Sequence, residues 1–206
     1  ARPMSFLVDP GERFSYSGEA YTFLAVTVQA ITGKSFVDFM RETVLEPLGM
    51  KNSSYVWQEP YEKQFAASHD MLGRRTQRGR STVPRAGASL YTIADDYARF
   101  LVAIGSGEGL SPKTWQEMIR PQIEVLGRDG KGEVDFHWGL GVGVNQTEKG
   151  TTLWHWGDNG DFNAYFEILP GNKRGVVFFM NGANAHALTP VITREVLGLE
   201  KPAIAT

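Results

Sequence analysis

The chain of 206 residues contains no cysteine. That excludes disulfides, thiolate metal ligands and a cysteine nucleophile. It has no apolar run approaching the ~20 residues that a membrane-spanning helix needs. Neither charge sign dominates: the formal net charge is −2, so no general field draws the chain to nucleic acid or to an acidic membrane. Histidine is scarce. His69, His137, His155 and His186 are scattered and no His-Glu-x-x-His pattern occurs, so no metal site is expected. A P-loop, a dinucleotide fingerprint and a Gly-x-Ser-x-Gly elbow are also missing. Their absence leaves no expected cofactor and disfavours an α/β-hydrolase.

Hydrophobic residues make up 42% and charged residues 21%, the balance of an ordinary globular chain with one sizeable core. The first half reads as helical. Ser17 is placed to cap a helix whose apolar positions are Tyr21, Leu24, Ala25, Val28 and Ile31, with Gly33 as its stop. Ser35, with Asp38 three residues on, opens a second helix with Phe36, Phe39, Met40 and Val44 on its buried face, ended by Pro47. From Lys51 to Gly87 the periodicity fails, which predicts a long irregular region. Thr92 is expected to open a third helix, with Ile93, Tyr97, Phe100, Leu101 and Ile104 inward. Ser111-Pro112 opens a short fourth.

The second half changes character. Gly139 to Asn145, Thr151 to Trp156, Asn163 to Leu169 and Gly175 to Asn181 are β-rich runs separated by turn signals. Short connections between successive strands predict an antiparallel meander. Thr189-Pro190 starts a last helix that runs to Leu197. The expected class is α+β, an antiparallel sheet flanked by helices plus a helical lobe. The helical lobe and loops span about residues 11–135, and the sheet with its C-terminal helix spans about 136–200.

Three segments invite chemistry. Arg74, Arg75, Arg78 and Arg80 form a basic stretch in a glycine-bearing loop, without interleaved aromatics, and read as a solvated loop rather than an anion site. Tyr16 sits just before a helix N-terminus, where amide donors and the positive helix end can favour a phenolate suited to proton transfer. A core tyrosine with a capping hydroxyl would look the same. Trp154-His155-Trp156-Gly157-Asp158-Asn159-Gly160 ends a strand in a glycine turn, where main-chain amides could serve as oxyanion donors. A plain hairpin with an aromatic rim is the alternative.

Taken in order, these segments resemble the serine β-lactamase and penicillin-binding-protein family, in its class C, esterase and D-aminopeptidase-like branch. The similarity runs through Pro10-Gly11-Glu12, Tyr16-Ser17, Glu46-Pro47-Leu48-Gly49-Met50 and Ala86-Gly87-Ala88-Ser89-Leu90-Tyr91-Thr92. It continues through Trp138-Gly139-Leu140-Gly141, His155-Trp156-Gly157, Leu169-Pro170-Gly171 and Asn181-Gly182. The resemblance implies a β-lactamase/transpeptidase-like fold. It also implies a site made of a Ser-x-x-Lys pair, a Tyr-x-Asn loop and a Lys/His-x-Gly strand. Tyr16 would be the proton-relay tyrosine, His155 the first residue of the strand triad, and the Asp158 amide one half of the oxyanion hole. Gly18, Trp156 and Gly157 would contact substrate.

Two departures stand out. Gly18 replaces the family's frequent asparagine, which leans away from a true β-lactamase and towards an esterase or peptidase. No lysine has a serine three residues before it, so Ser-x-x-Lys is absent. In the family that motif precedes the tyrosine loop. The chain is therefore expected to be the C-terminal part of one such domain, its nucleophile on a preceding or separate N-terminal segment. Two readings follow: a serine hydrolase of small ester, amide, peptide or β-lactam substrates, inactive as this chain alone, or a non-catalytic β-lactamase-like binding or regulatory module.

Overall fold

The computed structural model describes residues 8–77, 79–126 and 132–200. Helix α1 spans Gly18–Thr32, with the Ser17 hydroxyl accepting from the Ala20 amide at 3.2 Å and Gly33 closing it in the left-handed conformation. The short helix α2, Phe36–Met40, is capped by Ser35, tightens into a π-helical turn over Arg41–Leu45 and stops at Pro47. Helix α3 spans Ala94–Ser106 and helix α4 Pro112–Ile119, the latter capped by Ser111. Thr92 does not cap α3. Its hydroxyl pairs instead with Ser53 at 2.7 Å, and the buried Asp96 carboxylate accepts from the Asn52 amide and the Ser53 hydroxyl. Helix α5, Thr189–Leu197, starts and ends where the sequence suggests.

Six strands form one antiparallel sheet in simple sequence order: β1 Ile123–Leu126, β2 Gly132–Trp138, β3 Gly143–Thr147, β4 Gly150–Asp158, β5 Asn163–Leu169 and β6 Arg174–Met180. The meander is as expected, with two additions at its start. The run expected from Gly139 begins late, because Gly139 to Val142 form a turn in which the Gly139 amide donates to the Val142 carbonyl at 2.7 Å. Alternation divides the side chains between two faces. On one, Val144, Leu153, Phe166 and Ile168 pack with Leu101 and the half-buried Tyr97, Phe100 and Ile104 of α3. On the other, Trp138, Trp154 and Tyr165 form an aromatic layer, and Leu169, Leu197 and Leu199 seal α5 against β6. Gly143 admits this layer: a Cβ there would lie 2.3 Å from the Trp154 ring.

The helical lobe differs from expectation in burial. No residue of α1 is buried, and Phe23 (59%), Leu24, Val26 and Ile31 (79%) stand exposed. The periodicity made a real helix, but among the described residues nothing covers this apolar side. The irregular region from Lys51 to Gly87 is held by rings. Trp57 meets Tyr61, Phe65 and Tyr91 edge-on, and Phe65 touches Phe162 beyond β4. In the basic stretch Arg74 pairs with Asp70, and Arg80 pairs with Glu62 and lies over the Trp57 ring. Residue 78 of that stretch lies outside the described residues.

Candidate active site

Strand β3 pairs with β4 only as far as Trp154, whereas β5 follows β4 to Asp158. Among the described residues, His155 to Asp158 therefore have a strand neighbour on one side and an unpaired edge on the other. Tyr16 stands beside that edge. Its ring centroid lies 6.2 Å from His155, 5.0 Å from Trp156 and 6.2 Å from Trp138. The Ser17 cap fixes where the chain turns into α1 and so fixes the approach of Tyr16.

His155 shares its face of β4 with Leu153 and Gly157, and it stacks on Phe166 at 6.5 Å. Its Nδ1 lies 2.5 Å from the Trp156 carbonyl oxygen. A carbonyl can only accept, so Nδ1 carries the proton and Nε2 of the neutral ring offers a lone pair. Burial pushes the His155 pKa below the ordinary histidine value, and the hydrogen bond to Trp156 opposes this to a smaller degree. Burial also raises the Tyr16 phenol above the ordinary tyrosine value. Tyr16 remains 52% exposed, and partial burial against Trp138 and Trp156 works against the phenolate that a helix N-terminus would favour. The resting pair is a neutral phenol beside a neutral imidazole with a free acceptor nitrogen.

Trp156 points to the opposite face from His155, stacks on Trp154 at 5.7 Å and reaches the site through Tyr16. Gly157 has only the Ala164 methyl near a hypothetical Cβ, at 3.5 Å, so neither strain nor close packing demands glycine there. The Asp158 side chain is committed to the turn: Oδ1 accepts from the Gly160 amide at 2.7 Å and from Asn163 Nδ2 at 3.2 Å. Asn159 Nδ2 donates to the Ala88 carbonyl, tying the turn to the segment Ala86–Thr92. Gly87 lies against the start of α1, where a Cβ would be 3.5 Å from Tyr21 Cβ and 3.9 Å from the Gly18 carbonyl. Gly18 itself faces open space. The tyrosine loop, the small-residue segment and the β4–β5 turn thus converge at one place.

Trp138 was not singled out as a site residue, although it borders both Tyr16 and His155. The alternation of Val134, Phe136 and Trp138 with Glu133, Asp135 and His137 would have placed it on a strand. His186 is a second omission, with Nε2 3.1 Å from the Gly157 carbonyl oxygen. Among the described residues, no three His, Asp or Glu side chains gather as metal ligands, and no helix is long and apolar enough to cross a membrane.

An antiparallel sheet flanked by helices, with the Tyr16 loop beside the end of β4, sets the α+β class of the chain. The sequence model of the Beta-lactamase family matches residues 2–198, and the chain belongs to that family. It is 25% identical over 202 residues to penicillin-binding protein 4 of Amycolatopsis lactamdurans, covering 92% of this chain and 52% of that protein. It is 28% identical over 163 residues to esterase EstB of Burkholderia gladioli, covering 68% of this chain and 40% of the esterase. The chain thus spans about half or less of these relatives. The octameric penicillin-binding protein homologue from Pyrococcus abyssi shares the fold, with a TM-score of 0.76 at 24% identity, over 93% of this chain and 44% of that one.

Proposed function

We propose that this chain supplies the proton-handling and oxyanion-binding half of a serine hydrolase site, whose Ser-x-x-Lys nucleophile lies outside these 206 residues. The observation that carries the reading is the meeting of Tyr16 and His155 at the unpaired edge of β4. Relatives named as an esterase and a penicillin-binding protein support it.

In the reaction, a serine oxygen attacks the carbonyl carbon of an ester, amide or β-lactam. The carbonyl π electrons move onto oxygen, and the Asp158 amide donates to the oxyanion. Tyr16, held as a neutral phenol at rest, belongs to the relay that removes the serine proton and delivers one to the leaving group. The Nε2 lone pair of His155 is an acceptor at the same edge. Collapse of the intermediate expels the alcohol or amine and leaves an acyl-serine, which water hydrolyses. Because Nδ1 of His155 is bonded to Trp156, its neutral Nε2 cannot donate to a substrate carboxylate, which favours proton handling over carboxylate binding. Gly18, standing where the family often has asparagine, lacks one polar substrate contact, which favours esters and amides over β-lactams.

The test is pre-steady-state turnover of a p-nitrophenyl ester by the protein expressed with its upstream portion. A stoichiometric burst and an acyl adduct by mass spectrometry are expected. Neither burst nor adduct with any activated ester, amide or β-lactam would leave the non-catalytic reading.

A further inference from the structure

We propose that His186 is a positioning residue for the oxyanion peptide, holding the Gly157–Asp158 plane from behind. The inference rests on the reading that the Asp158 amide is an oxyanion donor. His186 lies on the 3₁₀ turn Ala185–Leu188, between β6 and α5. Its Nε2 is 3.1 Å from the Gly157 carbonyl oxygen, and its Nδ1 is 3.5 Å from the hydroxyl of the fully buried Thr189.

The Gly157 carbonyl and the Asp158 amide belong to one peptide group. That group is planar, and none of the described peptide bonds is cis. The C=O and N–H therefore point in opposite directions, and whatever fixes the carbonyl also aims the N–H. The carbonyl can only accept, so His186 must donate from Nε2. A donor on the carbonyl also polarises the peptide and strengthens its N–H as a donor on the far side. The histidine is itself anchored. The turn that carries it is closed by bonds from the Ala185 amide to Gly182 and from the Ala187 amide to Asn184. The preceding segment is stitched to His69 through the Asn181 carbonyl and the Ala183 amide. Pairing of Gly157 with Ala164 already holds this peptide in the β4–β5 ladder close to the ladder's end, and His186 adds a second donor to its carbonyl from the turn between β6 and α5.

The experiment compares His186→Leu and His186→Gln in the protein expressed with its upstream portion. It reads kcat, KM and melting temperature, together with Ki for a boronic acid that forms a tetrahedral adduct with the serine. His186→Leu is expected to lower kcat about tenfold, less than outright loss of an oxyanion donor, with KM within about twofold. Ki for the boronic acid should rise in step with the fall in kcat, and melting should stay near the parent value. His186→Gln keeps an N–H donor and should recover most of the loss. The inference is overturned if His186→Leu retains parental kcat, or if activity falls only in proportion to folded protein with Ki and KM unmoved. A parent enzyme that neither acylates nor binds the boronate overturns the serine-hydrolase reading and this inference together. A fully active parent with an indifferent His186 overturns this inference alone.

Discussion

The Tyr16 phenol and the His155 imidazole, far apart in sequence, lie 6.2 Å apart centroid to centroid, with Trp138 against both rings. One comes from a capped helix start and the other from a strand that has lost its neighbour on one side. Burial shifts the two groups in opposite directions and keeps both neutral.

Removing the Tyr16 hydroxyl should therefore abolish a proton path while leaving the packing intact. Tyr16→Phe, in the protein with its upstream portion, should cut kcat by ~10²–10⁴-fold, the usual reach of a positioned acid or base. The ring contacts with Trp156 and Trp138 remain, so melting should hardly change. Near-normal ester turnover by this variant would remove Tyr16 from the mechanism.

The acid limb of activity follows from His155. Its folded pKa is lowered by burial, so the unfolded chain binds a proton at a higher pH than the folded one. Stability from the neutral ring is present above the unfolded value and is lost as pH falls through the folded one. The acid limb of kcat/KM, which reports the free enzyme, should accordingly lie below the ordinary histidine pKa of about 6.5. A limb at or above that value would contradict the assignment of a desolvated, neutral His155.

Gly143 offers a test of the aromatic layer beneath the site. A Cβ at this position would lie 2.3 Å from a Trp154 ring atom, in a buried strand where the indole has little freedom. Gly143→Ala should destabilise the fold by about 1–3 kcal/mol, as overpacking does. Denaturant unfolding measures it, and an unchanged midpoint would mean that Trp154 yields without cost.

The exposed side of α1 predicts a contrast between two forms of the protein. Phe23, Leu24, Val26 and Ile31 make an apolar surface that the described residues leave uncovered. In the isolated chain, Phe23→Ser with Ile31→Ser should reduce self-association in sedimentation. If the upstream portion packs there, the same pair should lower the melting temperature of the longer protein. Equal melting of parent and variant in the longer protein would place its upstream portion elsewhere.

Much of this was legible because local signals and global fold agree. Ser17, Ser35 and Ser111 cap the helices they precede, and β5 and α5 lie within the boundaries that turn residues mark. Thr92 failed as a cap because a tertiary contact with Ser53 claimed its hydroxyl. Strands β1 and β2 were missed because charged residues interrupt them, although alternation was present in the second. The shift in Tyr16 could not be read from its place before a helix, since it comes from indoles of β2 and β4 that pack against one side of the ring. His186 has no sequence signature at all. Its partner is a backbone carbonyl on strand β4, and only the folded chain brings them together.

The central claim is that these 206 residues hold a half-site whose nucleophile is elsewhere. Mass spectrometry after incubation with a fluorophosphonate tests it most directly, on the purified chain and on the protein with its upstream portion. The account predicts no covalent mass increase on the chain alone and one labelled serine, within an upstream Ser-x-x-Lys, on the longer protein. Ser17 is already committed as the α1 cap and should remain unmodified. Stoichiometric labelling of any serine within residues 1–206 would contradict the claim.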